Sequence, residues 1–203
     1  MSAQLSAKGL KTRSEILDAA YGLFLARGIH ATSVDDILER SGKGKSQFYH
    51  YFKNKEDLVH RLLQAHLTEI KEGKMPYDIA ITDWDDLEKW VYKLVEFYRS
   101  LGEASGCILG MIAQETMPEE ELIRQDIQMI FDAKMKRPRN FFIGLEAQGA
   151  LRNGINAEVM TNLLLSMIQG SVLLVKLYQN EQIIDEGIGA IVKALKSFDT
   201  QHK

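Results

Sequence analysis

Residues 32–58 read TSVDDILERSGKGKSQFYHYFKNKEDL, and this stretch decides the fold class of the chain. Two short helical patterns meet in it at Gly42, and the second pattern is rich in Lys, Gln and Tyr. Two short helices joined by a turn of about three or four residues are typical of a helix-turn-helix, whose second helix enters the DNA major groove. The stretch therefore predicts a DNA-reading element.

Helix signals continue on both sides of this stretch, whereas the alternation expected of strands is absent. The first helix is predicted to open at Thr12, with Glu15 at capping-box spacing, and to end at Gly28. The pair in the quoted stretch is predicted to run from after Thr32 or Ser33 to Ser41 and over about 45–51, with Phe48 and Phe52 in the core. A fourth helix begins at Asn54, a favourable N-cap.

Longer helices follow the Gly73-Lys74-Met75-Pro76 segment. One begins at Met117-Pro118 and runs towards Ala147, with a kink or break expected at Pro138 because proline removes a backbone donor. The others are predicted over 83–103, 106–116, 159–179 (capped by Asn156) and 183–198. The prediction is an all-α protein with an N-terminal arm and helix-turn-helix domain over 1–55, a connecting helix over 56–75 and a larger helical domain over 76–203.

Length and composition predict a soluble globular protein. The chain has 203 residues, of which 45% are hydrophobic, and its single Cys107 excludes an intrachain disulfide. We find no apolar run near the roughly 20 residues that span a bilayer and no secretory signal, so a cytoplasmic location is predicted.

Charge is divided unevenly along the chain. The net charge is −3, but residues 1–55 carry nine Lys and Arg against five acids, and residues 56–203 carry sixteen against twenty-three. Four lysines and no acid lie between Lys43 and Lys55. A basic patch on an acidic body attracts phosphates while the body resists nonspecific association.

The second helix of the pair carries side chains that suit base edges. Lys45, Ser46 and Gln47 are the predicted base-reading residues, with Lys43 beside them in the turn. Lysine suits the acceptors of guanine, and glutamine suits adenine.

At these positions the sequence resembles the tetracycline-repressor (TetR) family of dimeric bacterial transcription regulators. The matching residues are Thr32, Ile37, Gly42, Phe48-Tyr49, Tyr51-Phe52 and Lys55-Glu56. The resemblance covers about a quarter of the chain. It implies a regulator, most simply a repressor, that binds a pseudo-palindromic operator as a homodimer and is released by a small-molecule effector.

The resemblance also suggests which residues contact the DNA backbone. Tyr49, Tyr51 and Lys55 are carried over as backbone contacts, and Thr32 as a weaker one. Gly44 stands where the family usually has Ser or Thr and Ser46 where it usually has Gly, so the contacts of this helix are expected to differ from those of relatives. Lys8, Lys11 and Arg13 in the N-terminal arm are expected to add phosphate or minor-groove contacts, or to form a solvated tail.

In the family, the last two helices form the dimer interface and the C-terminal helices enclose an effector pocket. The segment 160–177 is apolar on more than one face, which suits a helix packed against both its own domain and a partner. The candidates for the interface are Met167, Gly170, Ser171, Leu174, Ile188 and Val192.

For the pocket, aromatic and Met residues on the surrounding helices suit an apolar or amphipathic effector, although such residues are more often plain core. The pocket candidates are Trp90, Phe97, Tyr98, Met111, Gln114, Met117, Phe131, Met135 and Gln169, with Gln114, Gln128 or Gln169 orienting the ligand.

Cys107 follows Ser105-Gly106 at a predicted helix start, where the dipole favours a reactive thiolate. An electrophile or redox sensor is therefore an alternative to simple ligand release, and a buried small hydrophobe is the plainer interpretation.

Enzyme, metal and cofactor functions have little support in the sequence. No Ser, His and Asp arrangement appears, and Gly42-Lys43-Gly44-Lys45-Ser46 lacks the strand and first glycine of a phosphate loop. His60 and His66 are six residues apart and therefore lie off a common helix face. We predict no enzyme activity, no metal and no cofactor, with an enzyme or small-molecule binder carrying a vestigial DNA module as the competing class.

Overall fold

The computed structural model describes residues 6–101 and 107–201, and within these ranges the chain forms nine α-helices. They are α1 (Ala7–Arg27), α2 (Val34–Ser41), α3 (Lys45–Tyr51), α4 (Lys55–Lys71), α5 (Trp84–Ser100), α6 (Ile108–Glu115), α7 (Glu121–Ala147), α8 (Ala157–Tyr178) and α9 (Gln182–Lys196). Strand-like pairing in the described ranges is limited to an isolated bridge between Leu151 and Asp199. The all-α prediction is confirmed.

The first helix begins earlier than predicted. Ser6 is its N-cap and accepts a hydrogen bond from Gly9 N at 3.2 Å, so helix rather than arm begins at Ala7. Lys8, Lys11 and Arg13 therefore lie on α1, and the prediction that they form an arm is wrong. The predicted end is confirmed, because Gly28 has a φ of 85° and donates its N–H to Phe24 O.

The boundaries of α2 and α3 agree with the sequence prediction. Ser33 and Asp36 form a reciprocal capping box at the start of α2. Gly42 ends the helix in the left-handed conformation at φ 65°, which glycine adopts without a Cβ penalty. Phe48 and Phe52 are buried, as predicted.

The start of α7 and the effect of Pro138 differ from prediction. Glu120 Oε2 accepts the Met117 N–H at 2.8 Å, which holds Pro118 in a turn, and the helix begins at Glu121. The helix then continues through Pro138 to Ala147, so the expected break does not occur. Proline removes only one backbone donor, and the Pro138 ring itself is buried.

The remaining helices follow the predicted order with small shifts. Asp83 caps α5, which ends at Ser100, and Asn156 caps α8 by accepting Val159 N at 2.8 Å. The predicted end of α5 at Glu103 and the predicted start of α6 at Gly106 lie outside the described residues.

The described residues divide into two compact units. Unit 1 draws on Met1–Thr68 and Ile108–Met129, and unit 2 on Glu69–Cys107 and Ile130–Lys203. This division differs from the one drawn from the sequence, since residues 108–129 group with the N-terminal helices rather than with 76–203.

Each unit has its own core. In unit 1, α1 packs on α2 and α3 through buried residues that include Ile16, Phe24, Ile37 and Phe48. In unit 2, α5 and α8 both pack on α9, and Ala150 O accepts a hydrogen bond from Thr200 N at 2.7 Å. The indole of Trp84 donates to the buried Asp199 Oδ2 at 2.9 Å, which ties α5 to the segment after α9.

Helix α8 is long and apolar enough to cross a membrane by length and composition alone. The prediction that no apolar run has such a length is therefore wrong for this helix. Only 22% of its most apolar 18-residue window is buried, so most of this surface is not covered by the described chain.

Candidate DNA-binding surface

Helix α3 is held by one side chain and exposes most of the others. Phe48 is its only buried residue, and it contacts the ring of Phe52 at a centroid distance of 5.4 Å. Tyr51 is half-buried, while the remaining residues of the helix, Lys45, Ser46, Gln47, Tyr49 and His50, are exposed. A short helix anchored by a single aromatic ring presents nearly its whole polar surface, which is the geometry that groove reading needs.

Lys45, a predicted base-reading residue, and Lys43 in the turn beside it are both paired with carboxylates. Lys43 Nζ lies 2.6 Å from Glu15 Oε2, and its side chain is only 22% exposed. Lys45 Nζ lies 3.0 Å from Asp35 Oδ1, with 69% of its side chain exposed. Lys43 thus links α1 to the turn, whereas Lys45 needs only to leave an exposed surface pair, which costs little.

Gln47 caps the helix that carries it. Its Oε1 accepts a hydrogen bond from Gly44 N at 3.1 Å, which is one half of a capping box, and Gly44 has no side chain to supply the other half. The same oxygen keeps a second lone pair that can accept from adenine N6.

Lys55 and Thr32 occupy structural positions. Lys55 Nζ donates to Ile29 O at 3.0 Å and to Thr32 O at 3.1 Å, so its ammonium group binds the α1–α2 connection. Thr32 is fully buried, and its hydroxyl donates to Gly28 O at 2.7 Å. Their predicted phosphate contacts stay predictions, but both polar groups are already engaged within unit 1.

Exposed rings and cations remain at the end of α3. Tyr49 is 59% exposed, its ring packs edge-on against Phe48, and Tyr51 lies beside His50. Lys53 is also exposed; its backbone N–H donates to Asp57 Oδ2 at 3.0 Å, and its ammonium group helps to lower the pKa of Asp57. Lys53 is not among the predicted DNA contacts, although its place in the acid-free segment 43–55 indicates a phosphate contact.

Helix α6 binds the α1–α2 connection through Glu115. Glu115 Oε2 accepts from Ile29 N at 2.7 Å and from His30 N at 3.0 Å, while His30 Nε2 lies 2.6 Å from Glu115 O. Gly28 has a φ of 85°, which favours glycine, and a Cβ there would displace the Glu115 carboxylate. A small cleft between these elements is lined by residues that include Lys55, Val59 and Ile112.

His60 has a carboxylate partner inside the same unit. His60 Nδ1 lies 2.6 Å from Asp126 Oδ2, and Gln64 Nε2 donates to Asp126 Oδ1 at 2.6 Å. Asp126 is buried, and these two contacts from α4 satisfy both of its oxygens. Groups of three His, Cys, Asp or Glu that could hold a metal ion were not found among the described residues.

The predicted pocket residues fall into two sets. Gln114 and Met117 are exposed and, with the half-buried Met111, belong to unit 1. The others belong to unit 2, namely Trp90, Phe97, Tyr98, Phe131, Met135 and Gln169. The structure therefore does not place all nine candidates in one unit, because residues 108–129 group with the N-terminal helices.

The unit 2 set is part of an aromatic cluster centred on Tyr77 and Tyr98. The Tyr77 ring packs edge-on against Trp90 and Phe97 at centroid distances of 6.1 and 5.5 Å. Burial is the main cause that raises the pKa of Tyr98 well above its usual value, and the neighbouring Cys107 adds to it. We call Tyr77, Trp90, Phe97, Tyr98, Phe131, Lys134 and Gln169 the aromatic cluster.

Lys134 is the member that the sequence analysis missed. Only 3% of it is exposed, and its Nζ donates to Tyr98 Oη at 3.2 Å. The same ammonium lies 5.2 Å from the Tyr98 ring centroid and 5.5 Å from that of Phe131. Its position four residues after the buried Ile130 was a signal, since it continues the apolar face of α7.

The predicted dimer-interface residues differ in their exposure. Ile188 and Val192 are buried within unit 2, so their side chains pack against their own chain, and their predicted contact with a second copy stays a prediction. Ser171 faces α9, with its Oγ 3.6 Å from a Cβ built at Gly187. Gly170 and Leu174 are exposed and Met167 is half-buried.

Exposed leucines extend the surface of α8 that Gly170 and Leu174 begin. Leu173 and Leu177 are 56% and 67% exposed, and Tyr178 is 66% exposed. Spacings of three and four residues place Gly170, Leu173, Leu174, Leu177 and Tyr178 on one side of the helix, which we call the α8 stripe.

Cys107 is buried and contacts Tyr98. This burial favours the plainer interpretation of a small hydrophobic side chain over that of an exposed reactive thiol. Ser105 and Gly106, on which the dipole argument depended, lie outside the described residues.

Comparison with known proteins identifies two family models in the chain. The model described as "Bacterial regulatory proteins, tetR family" matches residues 16–62, and "Tetracyclin repressor-like, C-terminal domain" matches residues 85–191. Together they cover α2, α3 and most of the helices of unit 2.

Two curated relatives match this chain, one over nearly its whole length and one over a shorter segment. The HTH-type transcriptional repressor DhaR of Mycobacterium sp. (strain GP1) is 23% identical over 90% of this chain and 91% of its own. The HTH-type transcriptional repressor KstR2 of Rhodococcus jostii (strain RHA1) is 40% identical over 58 residues, which are 29% of this chain and 28% of its own.

A solved structure confirms the fold. A TetR-family transcriptional regulator from Agrobacterium tumefaciens superposes with a TM-score of 0.75 at 20% identity, covering 94% of this chain and 99% of that one. One of the two family models spans more than half of the chain, and the other contains the exposed helix α3. The chain belongs to the TetR family of bacterial transcriptional regulators.

Proposed function

We propose that this regulator is a ligand-responsive repressor that binds a pseudo-palindromic operator as a homodimer. The observation that carries the proposal is α3, which is anchored by Phe48 alone and exposes Lys45, Ser46, Gln47 and Tyr49. The names of DhaR and KstR2 as repressors support the sign of regulation.

In the proposed complex, Lys45 and Gln47 read bases and Tyr49 and Lys53 contact phosphates. Base contacts set the sequence preference, whereas phosphate contacts set register and the dependence on salt. The ammonium of Lys55 supports the reader from within, because it binds the carbonyl oxygens of Ile29 and Thr32.

The α8 stripe supports the homodimer. Its exposed leucines and Tyr178 are an apolar helix surface that the described chain leaves uncovered. Adding a Cβ at Gly170 would meet nothing within 4 Å, so the backbone of α8 is open to the close approach of another helix there. A two-fold pair of these helices would give two recognition helices and hence a palindromic site.

Effector release is proposed to act by population shift. An effector bound in unit 2 would favour a dimer whose recognition helices have the wrong spacing, and a differential affinity of about 1–3 kcal/mol is typical of such coupling. The chain passes directly from Cys107 of unit 2 into α6, whose Glu115 binds the α1–α2 connection. A shift of α6 would therefore move the start of α2.

The test is DNA binding by fluorescence anisotropy on the intergenic DNA beside the gene, against scrambled DNA, across a salt series. We expect the native DNA to bind tighter, and Lys45→Ala to reduce this preference by about 1–3 kcal/mol per half-site contact. Lys71→Ala, an exposed lysine at the end of α4, is the control. Equal affinity for native and scrambled DNA at physiological salt would overturn the proposal.

Lys53 and Lys55 separate direct from indirect contacts in the same assay. Lys53→Ala is expected to weaken all DNA and to reduce the salt slope by about one unit, as the loss of one phosphate contact does. Lys55→Met is expected to lower affinity without changing the slope, because it removes a support rather than a contact. A flattened slope for Lys55→Met would instead return Lys55 to the phosphate-contact role.

A further inference from the structure

The aromatic cluster in unit 2 buries a lysine to which the described residues offer no carboxylate partner, only the neighbouring Cys107 thiol. Lys134 is 3% exposed, and its only hydrogen bond within the described ranges is the one to the neutral Tyr98 hydroxyl at 3.2 Å. Burial lowers the pKa of Lys134, which shows that the cluster disfavours the ammonium form. Such a group gains most from an anion that enters the cluster.

The other unsatisfied polar groups of the cluster are also donors. Trp90 Nε1, Gln169 Nε2 and Tyr77 Oη are buried atoms that lack a well-formed hydrogen bond to any described residue, although Gln169 interacts with the Tyr98 hydroxyl. Indole and amide nitrogens donate only, and a phenol can donate. Buried donors without acceptors are uncommon in folded proteins, and their occurrence together calls for an acceptor.

Pairwise contacts connect the residues that carry these groups in unit 2. The Tyr77 ring contacts the Trp90 ring at 6.1 Å, and Tyr98 interacts with Tyr77, Gln169 and Lys134. The rings of Phe97 and Phe131 border them, at 6.2 Å from the Tyr98 ring and 5.5 Å from Lys134 Nζ. The cluster thus combines an apolar wall with a set of donors and one cation.

We propose that the aromatic cluster binds an amphipathic organic acid, with its carboxylate or phenolate on Lys134 and its apolar body against the rings. The inference rests on the proposed function, since this acid would be the effector that releases the operator. The anionic oxygens would accept from Lys134 and from one or more of the donors on Trp90, Gln169 and Tyr77. A neutral analogue of the same shape would leave the ammonium unpaired and should bind more weakly.

Matched pairs of probes test the charge requirement on the full-length protein. Isothermal titration calorimetry is run with octanoate against octanol and with 4-butylbenzoate against 4-butylbenzyl alcohol. We expect at least one acid to bind at least about tenfold tighter than its alcohol. If neither acid binds, or if both acids bind no better than their alcohols, the inference is overturned.

Variants then assign the preference to Lys134. Lys134→Met should abolish the difference between acid and alcohol, Lys134→Arg should retain it, and the exposed Lys136→Met on the same helix is the matched control. Lys134→Gln serves as a second neutral variant if Lys134→Met does not fold. An unchanged acid preference in a folded neutral variant overturns the inference and leaves Lys134 a structural cation held by the two rings.

The same preparations are tested for operator binding with and without the acid that binds. Acid preference without operator binding refutes the proposed function and leaves the site intact. Operator binding without acid preference refutes only this inference. Release of the operator by the acid, but not by its alcohol, in wild type and not in Lys134→Met supports both.

Discussion

At the scale of single residues, the carboxylate of Asp36 holds the start of α2. It accepts from Ser33 N at 2.7 Å and from Ser33 Oγ at 2.6 Å, and it lies 2.6 Å from Arg27 Nη2. The Ser33 hydroxyl is the largest cause, followed by Arg27, that lowers the pKa of Asp36 to about 2. One side chain thus joins α1, the turn and the first turn of α2.

The lowered pKa of Asp36 predicts a pH dependence of stability with a definite sign. Because the folded pKa lies below the ordinary aspartate value of 3.8, the unfolded chain binds the proton more readily. The contribution of Asp36 is present above 3.8 and is lost as pH falls through about 2. The free energy of unfolding of Asp36→Asn, from urea titrations, should therefore approach that of wild type as pH falls through this window.

Glu39→Gln is the control for this measurement, because Glu39 is an exposed carboxylate on the same helix. We expect it to change the free energy of unfolding by less than about 0.5 kcal/mol at each pH. A difference between wild type and Asp36→Asn that stays constant down to pH 2 would contradict the assigned role.

Single residues also show why part of the site was not predictable. Lys134 stands among Ala133, Lys136 and Arg137, and a lysine in such a run is usually solvated. The sequence predicts a phosphate contact for Lys55. It does not indicate the bonds of Lys55 to Ile29 O and Thr32 O, because these residues lie 26 and 23 positions earlier in the chain. Contacts of this range depend on packing, which helical periodicity does not encode.

At the scale of elements, local signals predicted α2 and α3 well. Ser33 and Gly42 mark the ends of α2 through bonds to neighbours within four residues, so sequence alone carries them. The predicted starts of α1 and α7 were wrong, because the local signals at these two positions were misleading. Ser6 capped a segment that resembled a tail, and Glu120 folded back on Met117 to hold Pro118 outside the helix.

The contact between α6 and the α1–α2 connection yields a prediction for Glu115→Ala. Its carboxylate accepts from the N–H groups of Ile29 and His30, and removing a charged acceptor from two donors costs about 1–3 kcal/mol. The variant should therefore be less stable to urea by about that amount. Amide hydrogen exchange should accelerate at positions 29 and 30 in particular.

Glu119→Ala is the matched control, since Glu119 is an exposed acid in the turn before α7. It should leave exchange at positions 29 and 30 as in wild type. Unchanged exchange in Glu115→Ala would mean that the connection keeps its shape without α6 and would remove this route from the proposed release mechanism.

At the scale of the whole molecule, the uneven charge along the sequence agrees with the two compact units, whereas the boundary drawn near residue 75 differs from the division by contacts. The basic surplus over residues 1–55 belongs to unit 1, which carries the recognition helix. Residues 108–129, however, group with unit 1 although they follow the predicted boundary near residue 75. Helices distant in sequence can complete a small domain, and a boundary drawn from composition does not detect this.

The homodimer is the molecular property on which the operator prediction depends. Ile188 and Val192, which are apolar and well spaced, proved to be core, whereas the α8 stripe stays exposed. Periodicity identifies an apolar face but not whether its own chain or a second copy covers it. The exposed fractions of the side chains make that distinction, and they favour α8 as the surface for the proposed second copy.

Leu173→Glu and Leu177→Glu are therefore expected to convert a dimer into monomers. A carboxylate placed in an apolar interface loses its hydration without gaining a partner, at a cost of several kcal/mol for each ion. Size-exclusion chromatography with light scattering measures the mass, for which one chain is 23.0 kDa. As the dimer is lost, operator affinity should fall by about tenfold or more, since a monomer contacts one half-site.

Ile143→Glu is the matched control, because Ile143 is 49% exposed on α7 and lies outside the α8 stripe. It should keep both the dimer mass and the operator affinity. If wild type is itself 23.0 kDa in solution, or if both leucine variants keep twice that mass, the second copy does not cover α8. The two-fold argument for a palindromic operator would then fail, because the spacing of two recognition helices exists only when two copies are joined.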